Sequence, residues 1–384
     1  MYVISQAVYD DCSLPLFQEL VGNNESYYLW SCDTLAMDRF LQSAQCQSPV
    51  VFVGIKDMLH GWSEFNWWQD RQQSGVISIE GFARRHPDTQ IVLFTSVEQL
   101  ENELSEPNLH IIAWGGDWTN QRAEYSLIEP VLDKNFDSDN TYISLNRHVR
   151  AHRLVALSYL FGQEYNRTGV ITYLNNPNGM PQSFLDTVGW QFGPTHDVIR
   201  ESILRGFDHV KNNNAINLDS YNIYQEYGQG ATDNAGNFEN RLRAMYQDSF
   251  VEIVSESVFA APSFMITEKT AHSFYGCNFP IILGGCGIIS HLRELGFDMF
   301  DDVVDHSYDT IANPFDRIVA AIELNRTLLL DTEHAKSQWK QCRSRFISNV
   351  DTIRNIYSWY ENRTRTKLTS VLEQMTLRTP LGPH

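Results

Sequence analysis

The sequence predicts an α/β protein of two Rossmann-like domains, and three observations carry that expectation. Short apolar runs of strand length recur at regular intervals in both halves of the chain. They are continuously apolar, as strands buried on both faces are, and helical or turn-rich stretches separate them. At 384 residues the chain has room for two cores of ordinary size.

In the first half, residues 2–5, 27–30, 49–54, 90–95 and 110–114 read as strands, with a helix over 97–104. The polar, turn-rich segment 132–140 reads as a connection between domains. Beyond it, 142–145, 169–173, 250–254 and 280–283 are strands, and 154–163, 238–248, 268–275 and 289–295 are helices. Thr267 is a good N-cap for the helix at 268, and Gly276, Asn278 and Pro280 stop it. The stretch 175–240, with Asn212-Asn-Asn214 and Gly228-Gln-Gly230, reads as an irregular insertion or a loop over a cleft. A tail from residue 331 has helical spacing at Trp339, Phe346, Ile353, Ile356 and Trp359. The expected division is therefore 1–138, 139–330 and a helical tail, 331–384, packing back on the first domain.

Composition narrows the function. The 42% hydrophobic and 20% charged content is that of a globular protein. A net charge of −18 disfavours a dedicated nucleic-acid binder, although a local basic cleft is compatible with an acidic exterior. No apolar run reaches membrane-spanning length, and Met1-Tyr-Val-Ile-Ser lacks a basic segment followed by a long apolar one. A cytoplasmic protein without a membrane span is the expectation, in a host cell's cytoplasm if the source is viral. Six scattered cysteines lack metal-ligand spacing and read as reduced thiols. Neither a Gly-x-Gly-x-x-Gly turn nor a phosphate-binding loop ending in Gly-Lys-Ser/Thr is present.

The chemistry-bearing residues lie at strand ends. Glu256 follows a strand, where ligands of open α/β sheets bind. Glu268 and Lys269 fall in the first turn of a helix. A lysine there opposes the helix dipole, which points to an anionic ligand; the alternative is a solvated Glu-Lys pair. Arg147, Arg150 and Arg153 follow the strand ending at Asn146. They form either a fork for a diphosphate or a solvated basic face. In the first half, the loop holding Lys56, Asp57, His60, Trp62 and Glu64 follows one strand, and Gly115-Gly116-Asp117 follows another. Each is an acceptor platform with a carboxylate or a plain surface loop.

Ser255-Glu256-Ser257, Met265-Ile266-Thr267-Glu268-Lys269, and Pro280-Ile281-Ile282 followed by Gly284 together resemble the C-terminal half of α1,3-fucosyltransferases and their phage and bacterial relatives. That family carries Phe-Glu-Asn-Ser, then Thr-Glu-Lys at a helix start, then a Pro-led strand ending in Gly. The resemblance covers about 142–330. It implies the GT-B fold, with two Rossmann-like domains facing each other across a cleft, and a glycosyltransferase acting with inversion. The donor would be a nucleotide-sugar, and the acceptor a glycan or a modified nucleic acid. Asn146, Arg150, Arg153, Glu256, Thr267, Glu268 and Lys269 would bind the donor. Asp117, or failing it Glu64, would be the general base. No essential metal or other cofactor is expected; Asp298, Asp301 and Asp302 read as surface acids. Two alternatives stay open: a phage DNA glycosyltransferase acting on a flipped hydroxymethylated base, and a non-catalytic nucleotide- or glycan-binding protein of the same fold.

Overall fold

A computed structural model describes residues 2–5, 26–29, 50–55, 79–95, 106–113, 128–146, 151–174, 197–212, 215–216, 238–256, 259 and 266–378. The chain divides into two compact units. One takes Met1–Arg122, Ser263–Ile266 and Asn355–His384; the other takes Ala123–Pro262 and Thr267–Arg354.

The first unit holds a five-stranded sheet of β1 (Tyr2–Ser5), β2 (Ser26–Leu29), β3 (Val50–Ile55), β4 (Gln90–Thr95) and β5 (Leu109–Ala113). Its order is β2-β1-β3-β4-β5, and every pairing is parallel. The order reverses between β1 and β3, so the crevice that such sheets offer a ligand lies at their carboxyl ends. Ile91, Val92, Leu93 and Ile112 are fully buried, as are Phe82 and Ala83 on α1 (Ile79–Arg85), a helix with no counterpart in the sequence reading. Asn108 fastens α1 to the sheet by donating to the carbonyls of Ala83 (3.0 Å), His86 (2.9 Å) and Thr89 (2.9 Å).

The second unit has its own sheet: β6 (Tyr142–Asn146), β7 (Gly169–Leu174), β8 (Ala215–Ile216), β9 (Val251–Ser255) and β10 (Phe279–Leu283). The order is β10-β9-β6-β7-β8, parallel except where the two-residue β8 runs against β7. Here the reversal falls between β6 and β9.

Alternation along β9 separates two environments. Val251 and Ile253 enter a cluster with Leu154, Val155 and Leu157 of α2 (Ala151–Gly162). Ile203, Phe207 and Val210 of α3 (Asp197–Asn212) join it, as do Phe315, Ile318 and Ile322 of a later helix, Pro314–Leu324. Glu252, one residue out of phase, accepts from Tyr246 on α4 (Arg243–Gln247), which continues a π-helical turn, Phe238–Leu242. Next come α5 (Glu268–Tyr275), α6 (Ile288–Glu294), α7 (Pro314–Leu324), α8 (Arg326–Leu330) and α9 (Thr332–Arg378). Within the second unit α9 buries Trp339, Cys342 and Phe346, and Trp339 Nε1 donates to the Cys277 carbonyl at 2.6 Å.

Two expectations change. The stretch 175–240 is not irregular throughout, because α3 occupies Asp197–Asn212. Gly206 and Gly162 let α3 and α2 cross in near-backbone contact: a Cβ on Gly206 would lie 1.7 Å from the Ser158 carbonyl oxygen, and one on Gly162 1.9 Å from that of Ser202. A glycine inside a helix weakens its local signal, and here it serves the crossing.

The segment 132–140 is an integral strap of the second unit. Val131 N donates to Tyr275 O (2.8 Å), and Asn135 N to Gln247 O (2.8 Å). The Lys134 ammonium, buried at its centre, donates to Tyr246 O (2.6 Å), Ser249 O (2.9 Å), Gly276 O (2.7 Å) and Asn278 Oδ1 (2.5 Å). These oxygens sit at the carboxyl ends of α4 and α5, where a cation complements the helix dipoles.

The surface acids make ion pairs. Arg345 grips Asp298 in bidentate fashion (2.6 and 2.7 Å) and reaches Asp302 (2.8 Å), while Arg293 pairs with Asp301. Cys277, Cys286 and Cys342 are free thiols. Among the described residues no helix is long and apolar enough to cross a membrane.

Candidate ligand site at the carboxyl ends of β6 and β9

The strand order places the crevice of the second unit between β6 and β9. Tyr142 pairs with Val251 and Ile143 with Glu252; Asn146 ends β6 and Ser255 ends β9, so both stand at the carboxyl edge of these two strands. Asn146 is almost fully buried; its Nδ2 donates to Ser144 Oγ (3.0 Å), while its Oδ1 has no partner among the described residues. Ser255 Oγ, also buried, has none among them either. Buried polar atoms are almost always hydrogen-bonded, so two such atoms at one switch point make this edge the candidate place for a polar ligand.

The first turns of α2 bring two side chains to this edge. Arg153, 3% exposed, donates from Nη2 to the Ser255 carbonyl (3.3 Å). His152 Nε2 donates to the Glu256 carbonyl (2.9 Å), and its ring stacks on Phe259 at 5.0 Å and 14°. On Phe259 also lies the Arg317 guanidinium, 4.8 Å from the ring centroid. Arg317 binds the carbonyls of Phe259 (2.7 Å), Gly284 (3.2 Å) and Ile311 (2.6 Å), and burial pulls its pKa down. Arg317 thus ties the ends of the chain segments after β9 and β10 to α7.

Glu256 is fully buried and accepts three hydrogen bonds from the start of α5. Thr267 N reaches Oε1 at 3.0 Å, Thr267 Oγ1 reaches Oε2 at 2.6 Å, and Thr270 Oγ1 reaches Oε1 at 2.5 Å. Thr267 also caps the helix by accepting from Lys269 N (3.4 Å). The positive end of α5 is therefore already matched by a carboxylate of the chain itself. Glu256, expected to orient a ligand, spends both oxygens on holding α5.

Lys269 Nζ donates to Thr267 Oγ1 (3.0 Å) and Glu268 Oε1 (2.7 Å), with about a quarter of each side chain exposed (22% and 26%). Burial would push the Glu268 pKa up; the Lys269 charge and hydrogen bond and the nearby His272 outweigh it and hold the pKa at about 2.

Beneath α5 the polar contacts continue. Glu252 is driven up to about 8 by burial, against the Tyr246 and Ser273 hydroxyls and the Lys134 charge. Burial likewise pulls Lys134 down to about 7.

Of the expected donor residues, Asn146, Arg153, Glu256, Thr267, Glu268 and Lys269 lie on β6, on α2, just after β9 and at the start of α5. Arg153 reaches the Ser255 carbonyl, next in the chain to Glu256, whose carboxylate holds the α5 start, while Asn146 ends the neighbouring strand β6. Arg150, Asp117 and Glu64 lie outside the described residues. By connectivity Glu64 follows β3, a strand beside the switch point of the first sheet, whereas Asp117 follows β5 at its edge. His152, Phe259 and Arg317 were not singled out from the sequence, and Ser255 entered only as part of the Ser255-Glu256-Ser257 motif, with no role of its own. For Ser255 the signal was available, since it is the last residue of a buried strand; the stacking of Arg317 on Phe259 leaves none. Among the described residues no group of three His, Cys, Asp or Glu side chains gathers as a metal site. No protein-family model matches this chain, and no curated protein does so either.

Proposed function

We propose that the chain is a glycosyltransferase of the GT-B type, whose second unit binds a nucleotide-sugar and whose first unit binds the acceptor hydroxyl. The observation that carries the reading is the pair of buried groups at the switch point, Asn146 Oδ1 and Ser255 Oγ, that have no partner among the described residues. They lie beside the Arg153 guanidinium, and Glu256 links that edge to the helix start bearing Lys269. Two hydrogen-bonding groups for hydroxyls or a base, next to two cations, suit a ligand that joins a sugar and a nucleoside through a diphosphate. The Thr267-Glu268-Lys269 resemblance adds the reaction class.

In this reading Arg153 and Lys269 stabilise the charge that grows on the departing nucleoside diphosphate. Glu256 fixes α5, and Glu268 addresses ribose or sugar hydroxyls. Inversion needs a base on the acceptor side, and Asp117 and Glu64 are the candidates. The test is a thermal-shift screen of the full chain with nucleoside diphosphates and nucleotide-sugars. A ligand at a hundredfold excess over its Kd stabilises by about 2.7 kcal/mol. A shift with one nucleotide that Lys269→Ala abolishes supports the donor site; no shift with any nucleotide refutes it.

A further inference from the structure

We propose that the Glu268 carboxylate is a built-in competitor for the anion subsite at Lys269, which the diphosphate of an incoming ligand must displace. The inference rests on the nucleotide-sugar reading and concerns how that site is kept before the ligand arrives. Glu268 pairs directly with Lys269, so a diphosphate approaching this helix start meets a cation that already holds a carboxylate.

The two carboxylates are not equally movable. Glu256 is fully buried and held by three donors from α5, so displacing it would uncap the helix. Glu268 is 26% exposed, and its contact at 2.7 Å is with the Lys269 ammonium itself. A diphosphate reaching Lys269 takes that contact over, and the released carboxylate becomes an acceptor for ligand hydroxyls. The low pKa of Glu268 agrees with this, since the group stays ionised, and competes, at any working pH. The buried Asn146 Oδ1 and Ser255 Oγ point to a ligand at this edge independently of the helix start.

The test measures binding of inorganic pyrophosphate, GDP and UDP to the full chain by calorimetry at low salt, for wild type, Glu268→Gln and Glu268→Gln/Lys269→Ala. Removing the competing charge should tighten pyrophosphate binding by up to about fivefold, the equivalent of about 1 kcal/mol for a partly exposed pair. The double variant should lose the gain. If wild type binds a nucleoside diphosphate and Glu268→Gln binds pyrophosphate no tighter, the competitor role is overturned while the donor site stands. If neither wild type nor Glu268→Gln binds any of the three, the donor-site reading falls and takes this one with it.

Discussion

Replacing Lys134 by methionine keeps the length of the side chain and removes its charge and three donors. Four oxygens then lose their partner: Tyr246 O, Ser249 O, Gly276 O and Asn278 Oδ1. At about 1–3 kcal/mol for each buried acceptor left unmade, the gross loss is roughly 4–12 kcal/mol. Against it stands relief from burying an ammonium. The fall in pKa from 10.5 to about 7 corresponds to roughly 5 kcal/mol at about 1.36 kcal/mol per pKa unit. The difference spans roughly −1 to 7 kcal/mol, and the expected outcome is a destabilisation of about 3–5 kcal/mol, the usual cost of removing one partner from a buried charged cluster. Urea unfolding of the full chain, followed by far-UV circular dichroism, reads this as a lower midpoint. A Lys134→Met variant within about 1 kcal/mol of wild type would mean that the oxygens re-pair without the ammonium. The strap would then owe its place to Trp339 and Phe136 packing instead.

Other outcomes follow from the same contacts. Glu252 has a folded pKa of about 8 against an ordinary value of 4.5, so its contribution to stability is full below about pH 4.5 and is lost as pH rises toward 8. Glu252→Gln, which mimics the protonated form, should leave stability at pH 5 nearly unchanged and raise it at pH 8; equal urea midpoint shifts at both would sink the assignment. Gly206→Ala drives a methyl group against the Ser158 carbonyl and should cost at least about 1–3 kcal/mol, seen as a lower Tm; an unchanged Tm would contradict the close crossing of α2 and α3. Glu256→Gln trades an acceptor oxygen for a donor facing the Thr267 or Thr270 hydroxyl and should cost about 2–3 kcal/mol in urea unfolding. A loss under about 0.5 kcal/mol would show that α5 does not depend on this carboxylate.

How much was legible in the sequence differs between local and tertiary features. The helix α5 starts after Thr267 and ends at Gly276 as its capping residues dictate, and the continuous apolar runs mark β3, β4, β9 and β10 to within a residue or so. The role of Glu256 was less readable: a carboxylate at a strand end looks the same whether it faces a ligand or a helix terminus. Lys134 misled for a related reason. In Asp133-Lys134-Asn135 the local pattern is that of a solvated turn, and only the arrival of two helix ends turns the lysine inward. Helix α3 was obscured by Gly206 within it and by the asparagines at its end, although Ile203, Phe207 and Val210 carry a helical stripe.

The strap also decides where the second unit can be cut free. A fragment starting at residue 139, just before β6, would keep every strand of that sheet yet begin after Lys134, leaving four carbonyl-type oxygens facing an apolar hole walled by Phe250 and Trp339. Starting at Ala123 retains the ammonium and the backbone bonds of Val131 and Asn135. Autonomy of this half of the protein is thus a matter of roughly twenty residues upstream of its first strand.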